Sequence, residues 1–171
     1  GSVARAMKNF GLSDLALVNP CSIDDFGLAM ACHARDVLDG AAVYSSLKEA
    51  IEQADLVVGT TGKRLDEAQH HLRLHLRVPC LSPAGLADRL QGKDGTVALL
   101  LGREDCGLNS DELALCDILV SIPTSPDYPV MNLSHSAAVL FYEIYKNGSG
   151  GGRVEMARGE SLSLLREKAE L

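Results

Sequence analysis

Short runs of β-forming apolar residues alternate with helix-like patterns along most of this chain, and that alternation narrows its possible folds more than any other feature. The β-type runs fall at 15–18, 42–44, 56–61, 96–101 and 118–122. The helical patterns fall at 24–38, 47–53, 83–90, 110–116 and 132–145, the last with apolar residues at 133, 137, 140, 141 and 144. Strands that alternate with helices imply a mostly parallel sheet covered on both faces. A chain of 171 residues, 46% apolar and 23% charged, has material for one such α/β core and hardly for two. Residues 1–11 read as a further helix capped by Gly11, which suggests a strand upstream of residue 1. Residues 147–159, with Asn147-Gly-Ser-Gly-Gly-Gly152, read as a linker, and residues 160–171 as a short amphipathic helical tail or the start of a C-terminal extension. The α/β domain is therefore expected over residues 1–146.

A net charge of −7 and a pI near 5.1 argue against nucleic-acid binding through the overall field, so any RNA site must be local. Five cysteines, widely spaced and without a CxxC pair, suit free thiols in a reducing compartment, and a cytoplasmic location is expected. No apolar stretch approaches the roughly 20 residues of a membrane span, so no membrane partner is expected.

Parallel α/β sheets take ligands at the carboxyl ends of their strands. Three runs here stop at glycine or proline and open into polar loops: Gly59-Thr-Thr-Gly62, Gly102-Arg-Glu104 with Gly107, and Ile122-Pro123 followed by Val130-Met-Asn132. Neither GxGxxG nor GxxxxGK[ST] occurs, so dinucleotide and P-loop readings lose their main support, and an uncharged polar ligand is favoured over a polyphosphate. Other residues carry weaker signals. His70, His71 and His75 with Glu67 have helical spacing, yet residues 63–77 are polar enough to read as a solvated loop, and no metal is assigned. Lys63, Arg64, Arg73 and Arg77 make the best local basic patch for RNA phosphates, with a solvated charged face as the competing reading. Glu104 reads as a carboxylate that holds its loop, His135 as a packed or capping residue, and Cys106 as a small core filler.

Taken in order, three segments resemble the motifs of the SpoU-type, knotted SPOUT methyltransferases. They are residues 1–11 with Arg5, Leu101-Gly-Arg-Glu104 with Gly107-Leu108, and Asn132-Leu-Ser-His-Ser-Ala with Tyr142-Glu143. Gly59-Thr-Thr-Gly62 and Leu17-Val-Asn-Pro20 place the resemblance in the branch that methylates tRNA riboses in the anticodon loop. The family's asparagine just before motif one is absent.

The resemblance implies an α/β knot with a deep C-terminal trefoil, and S-adenosylmethionine bound without metal by Thr60, Thr61, Gly62, Gly102, Ile122, Val130, Met131 and Asn132. Many relatives carry serine at the position of Val130, so here only a backbone contact can serve. The implied reaction is methyl transfer to a ribose 2′-hydroxyl of RNA, with tRNA position 32 as the target and S-adenosylhomocysteine as the product. An rRNA or other tRNA site, and a catalytically silent knotted RNA-binding domain, are the alternatives. Arg5 is the implied catalytic residue. A guanidinium stays protonated, so its expected task is to bind the target phosphate and the developing alkoxide. Phe141, Tyr142 and Tyr145 on the last helix, together with the resemblance, suggest a homodimer in which Arg5 acts at the neighbouring subunit's cofactor.

Overall fold

The structure, a computed structural model, describes residues 1–22, 25–62, 78–148 and 165–167. Its helices are α1 (Ser2–Asn9), α2 (Asp25–Ala31), α3 (Arg35–Asp39), α4 (Leu47–Ala50), α5 (Pro83–Leu90), α6 (Ser110–Leu113) and α7 (Leu133–Gly148). Its strands are β1 (Ala16–Val18), β2 (Ala42–Tyr44), β3 (Leu56–Thr60), β4 (Cys80–Leu81), β5 (Gly95–Leu100), β6 (Ile118–Val120) and β7 (Leu165–Glu167). A 3₁₀ turn, Cys32–Ala34, joins α2 to α3.

Strands β4, β6, β3 and β5 lie side by side in that order, every pair parallel. β1 and β2 form a separate parallel pair. The mixed α/β architecture with parallel sheets is thus present as the alternation implies. Successive residues of each central strand face opposite sides. Val58, Leu99 and Val120 join the core under α1, α3, α5 and α7. Val57, Leu100 and Leu119 join a second core with Leu47, Cys80 and Cys116. Burial on both faces explains why these strands read as continuous apolar runs.

The elements depart from the sequence reading in three places. The helix expected over 24–38 is broken, because Cys32 adopts φ +49° and interrupts the α-helical path. β4 is two residues long, too short to leave a periodic signal of its own. Leu165–Glu167, inside the expected helical tail, instead forms a strand antiparallel to Gly95–Val97 at the edge of the sheet, where unpaired backbone groups of β5 offer partners. The remainder of the tail, and most of the expected linker, lie outside the described residues.

Elsewhere local chemistry explains the boundaries. Ser82 accepts a hydrogen bond from Gly85 N at 3.2 Å and caps α5, with Pro83 in its first turn. After α1, Gly11 turns back at φ +72° and Leu12 N donates to Met7 O at 3.0 Å.

Candidate cofactor and RNA site

β3 is flanked by β6 on one side and β5 on the other, so the loops leaving the carboxyl ends of these three strands meet although they are far apart in the sequence. They enclose an open pocket of about 250 Å³, near the lower end of clefts that take small ligands (roughly 300–1,000 Å³). Thr60, Thr61 and Gly62 form one wall, Leu101 to Gly107 a second, and Ile122, Thr124 and Pro129 to Met131 a third. Leu133, Ser136 and Leu140 of α7 complete it, spaced to share one helix face.

Each loop is held by its own hydrogen bonds. Thr60 Oγ1 donates to Leu100 O at 2.9 Å, and Thr61 N to Val120 O at 3.0 Å, which ties the β3 end to both neighbours. Gly102 is sterically required: a methyl group there would overlap the backbone of Gly107 and Leu108. The same loop closes through Gly107 N to Arg103 O at 2.8 Å, and through a two-pronged contact of Arg103 with Glu112 at 2.9 and 3.0 Å. Glu112 also accepts from Asn109 N while Asn109 Oδ1 accepts from Glu112 N, a capping box at the start of α6. The Arg103 guanidinium holds the Glu112 carboxyl below its usual range, and Glu112 in turn raises the guanidinium further above its own. Asp105 is lowered as well, chiefly by a hydrogen bond from the Cys106 thiol.

The second and third loops are joined by one side-chain bridge. Asn132 Nδ2 donates to Glu104 Oε1, while Asn132 Oδ1 accepts from Ser134 N at 3.0 Å and Ser134 Oγ at 2.7 Å. Glu104 thus ties its loop to the next one through the Asn132 side chain.

Of the residues expected to bind cofactor, Thr60, Thr61, Gly62, Gly102, Ile122, Val130 and Met131 line this pocket. Asn132 is not in the wall and reaches it only through Glu104. Arg5 is not in the wall either. It is exposed on α1, where its Nη1 donates to Cys32 Sγ at 3.5 Å. Lys63, Arg64, Arg73 and Arg77, with Glu67 and the three nearby histidines, lie outside the described residues; among the described residues no cluster of metal-ligating side chains occurs.

Two expectations need correction. Cys106 is exposed and lines the pocket instead of filling the core, because the turn that closes the loop at Gly107 points it outward. His135 is exposed on α7 and is not packed, since Asn132 already occupies the capping position. Sequence reading missed Thr124, Ser136 and Leu140. The last two were detectable as positions three and seven residues after Leu133 on one helix face.

The fold defines an α/β domain with a pocket made by the ends of neighbouring parallel strands. The SpoU rRNA Methylase family model matches residues 1–142, and the chain belongs to that family. It is 46% identical over 146 residues to the tRNA (cytidine-2′-O-)-methyltransferase TrmJ of Methanocaldococcus jannaschii, covering 85% of this chain and 61% of that protein. The crystal structure of TrmJ from Z. mobilis superposes with a TM-score of 0.76 at 28% identity, over 89% of this chain and 65% of that one. SpoU methyltransferase AviRb of Streptomyces viridochromogenes, solved in complex with AdoMet, shares the fold at a TM-score of 0.60 and 19% identity, over 88% and 53% of the two chains.

Proposed function

We propose that this chain is the catalytic domain, over residues 1–146, of an enzyme that methylates a ribose 2′-hydroxyl of tRNA, using S-adenosylmethionine. One observation carries the reading most. The loops that bear the family's motifs two and three close a single pocket of backbone and neutral polar groups at the ends of β3, β5 and β6. The donor set suits that cofactor. The Thr60 and Thr124 hydroxyls donate within the protein and keep lone pairs that can accept from an adenosine, and the acidic rim of Glu104 and Asp105 suits a cationic sulfonium. Arg103, the cation of the described wall, is already committed to Glu112, which disfavours a polyphosphate. The relatives' names support tRNA as the substrate.

When bound, S-adenosylmethionine supplies an electrophilic methyl group. The pocket's backbone orients the nucleophile's approach, which must be nearly in line with the bond that breaks. The Glu104 to Asn132 bridge fixes the third wall against the second. Arg5 would bind the phosphate beside the target ribose and stabilise the developing alkoxide as the 2′-proton passes to solvent, directly or through that phosphate. Because Arg5 lies outside the wall of its own pocket, the reading places it at the pocket of a second subunit. The exposed Tyr142 and Tyr145 on α7, packed around Phe10 of α1, support a homodimer face. A deep trefoil knot formed by the C-terminal half, anticodon-loop position 32 as target and a cytoplasmic location complete the reading.

Calorimetry with S-adenosylmethionine, followed by methyl transfer to unmodified tRNA and mapping of the product, tests it. Saturable cofactor binding and a 2′-O-methylated nucleotide at position 32 are expected. Labelling of rRNA instead moves the substrate, and absence of cofactor binding overturns the enzyme.

A further inference from the structure

The loop that forms the third wall of the pocket carries an aromatic ring that the fold leaves in solvent. Tyr128 is 82% exposed, the most exposed large apolar side chain among the described residues, although its neighbours Pro129 and Val130 line the pocket. Exposure here does not come from a loose backbone. Ser125-Pro-Asp-Tyr128 closes a turn in which Tyr128 N donates to Ser125 O at 3.2 Å, with Pro126 at the position that proline pre-sets. Asp127 N donates to Ser125 Oγ at 3.3 Å, and Thr124 Oγ1 donates to Pro129 O at 2.9 Å across the base of the loop. Six consecutive residues, Thr124 to Pro129, are thus pinned while the Tyr128 side chain stays in solvent, and Val130, 64% exposed, adds to the apolar surface beside it.

A solvated aromatic on a pinned loop beside the pocket suits a partner with a flat apolar face. The ribose being methylated must place its 2′-oxygen inside the pocket, so a base attached to or next to that ribose projects outward past the rim. The charge of the chain favours the same partner. Among the described residues the rim carries Glu104 and Asp105, and the chain is −7 overall, so the described part of this face offers phosphate little attraction of its own. Beside the phosphate contact assigned to Arg5 of a second subunit, a contact that charge does not govern suits this rim, and stacking of a base on an aromatic ring is such a contact.

We infer that Tyr128 is a stacking platform for a nucleobase of the RNA at the pocket mouth, a positioning residue that acts through substrate binding and not through the methyl transfer itself. The inference rests on the RNA methyltransferase reading above. Substitutions at so exposed a site leave the core untouched, so the variants remain folded.

The test compares Tyr128→Ala, Tyr128→Leu and Tyr128→Phe with the wild type for S-adenosylmethionine affinity, kcat and the KM for tRNA. Loss of one base stack corresponds to roughly a tenfold rise in KM for the alanine variant. The leucine variant, apolar but without a ring, is expected to resemble alanine, and phenylalanine to resemble the wild type. Cofactor affinity and kcat stay within about twofold across the series. Unchanged KM in Tyr128→Ala, wild-type behaviour of Tyr128→Leu, or failure of Tyr128→Phe to restore KM each overturns the stacking role. The leucine result would point instead to an apolar protein contact at this rim. If the wild type binds cofactor yet transfers no methyl group, the enzymatic reading fails by itself. Filter retention of labelled tRNA then still decides the matter, equal affinity of wild type and Tyr128→Ala overturning the platform.

Discussion

Glu104 and Asn132 lie 28 positions apart, and one hydrogen bond between them joins the second and third walls of the pocket. Replacing Glu104 by alanine removes the acceptor and leaves the Asn132 amide to water. Cofactor affinity should fall about fivefold, in line with a hydrogen bond worth ~1 kcal/mol, and Glu104→Gln, which keeps an acceptor oxygen, should retain most of it. Isothermal titration of the three proteins measures this; equal affinities would show that the bridge does not shape the pocket. The cysteines give a second residue-scale expectation. Cys80 and Cys116 are buried, and desolvation pushes their thiols up to about 11 and about 12, while Cys21, Cys32 and Cys106 are exposed. Alkylation at pH 8 should therefore label the exposed three quickly and the buried two only after unfolding, read by peptide mass spectrometry. S-adenosylmethionine should slow the labelling of Cys106 alone among them, since Cys106 lines the pocket. Thiols raised in the fold keep protons that the unfolded chain releases near pH 9. Stability is thus full below that pH and declines as pH rises from there toward 11 and 12.

At the scale of elements, α6 is short, with only Ser110–Leu113 in the helix, and it persists because its first turn is capped from both directions. Asn109-Ser-Asp-Glu112 is a capping box legible in the sequence. The Arg103 contact that also uses Glu112 was not legible, because it needs the loop from Gly102 to Gly107 to fold back. Glu112→Ala removes both and should cost about 1 kcal/mol or more, lowering Tm by roughly 3 °C or more in a chain of this size. The depressed Glu112 carboxyl adds stability that is present above the ordinary carboxylate pKa. That stability is lost as pH falls through the lower folded value. The wild type should accordingly lose its advantage over Glu112→Gln on acidification, a trend that thermal melts between pH 6 and roughly pH 3 would reveal. The broken helix at Cys32 is the opposite case. Residues 24–38 carry a helical apolar pattern, and nothing in their composition marks residue 32 as the one that turns left-handed.

For the whole molecule, the separation of Arg5 from the wall of its own pocket gives the sharpest expectation. In a homodimer that shares sites, Arg5→Ala and Gly102→Ala should each be nearly inactive. Mixing them under conditions of subunit exchange should restore roughly a quarter of wild-type methyl transfer, because half the dimers are mixed and each mixed dimer has one intact site. No recovery in a demonstrated mixed dimer would place Arg5 at its own subunit's site. The sequence by itself determined the central strands and most helices: apolar runs buried on both faces read as parallel strands, and the glycines and prolines that end them as loops. It also marked Thr60, Thr61, Gly62, Gly102, Ile122, Val130 and Met131, since local pattern and family motifs are properties of contiguous residues. Only the tertiary structure decided that β3 lies between β6 and β5, which makes one pocket of three distant loops. It alone set Asn132 against Glu104, turned Cys106 outward and left Tyr128 in solvent. Those outcomes depend on strand order and on which backbone groups find partners across the chain, and neither quantity is written in the spacing of residues along it.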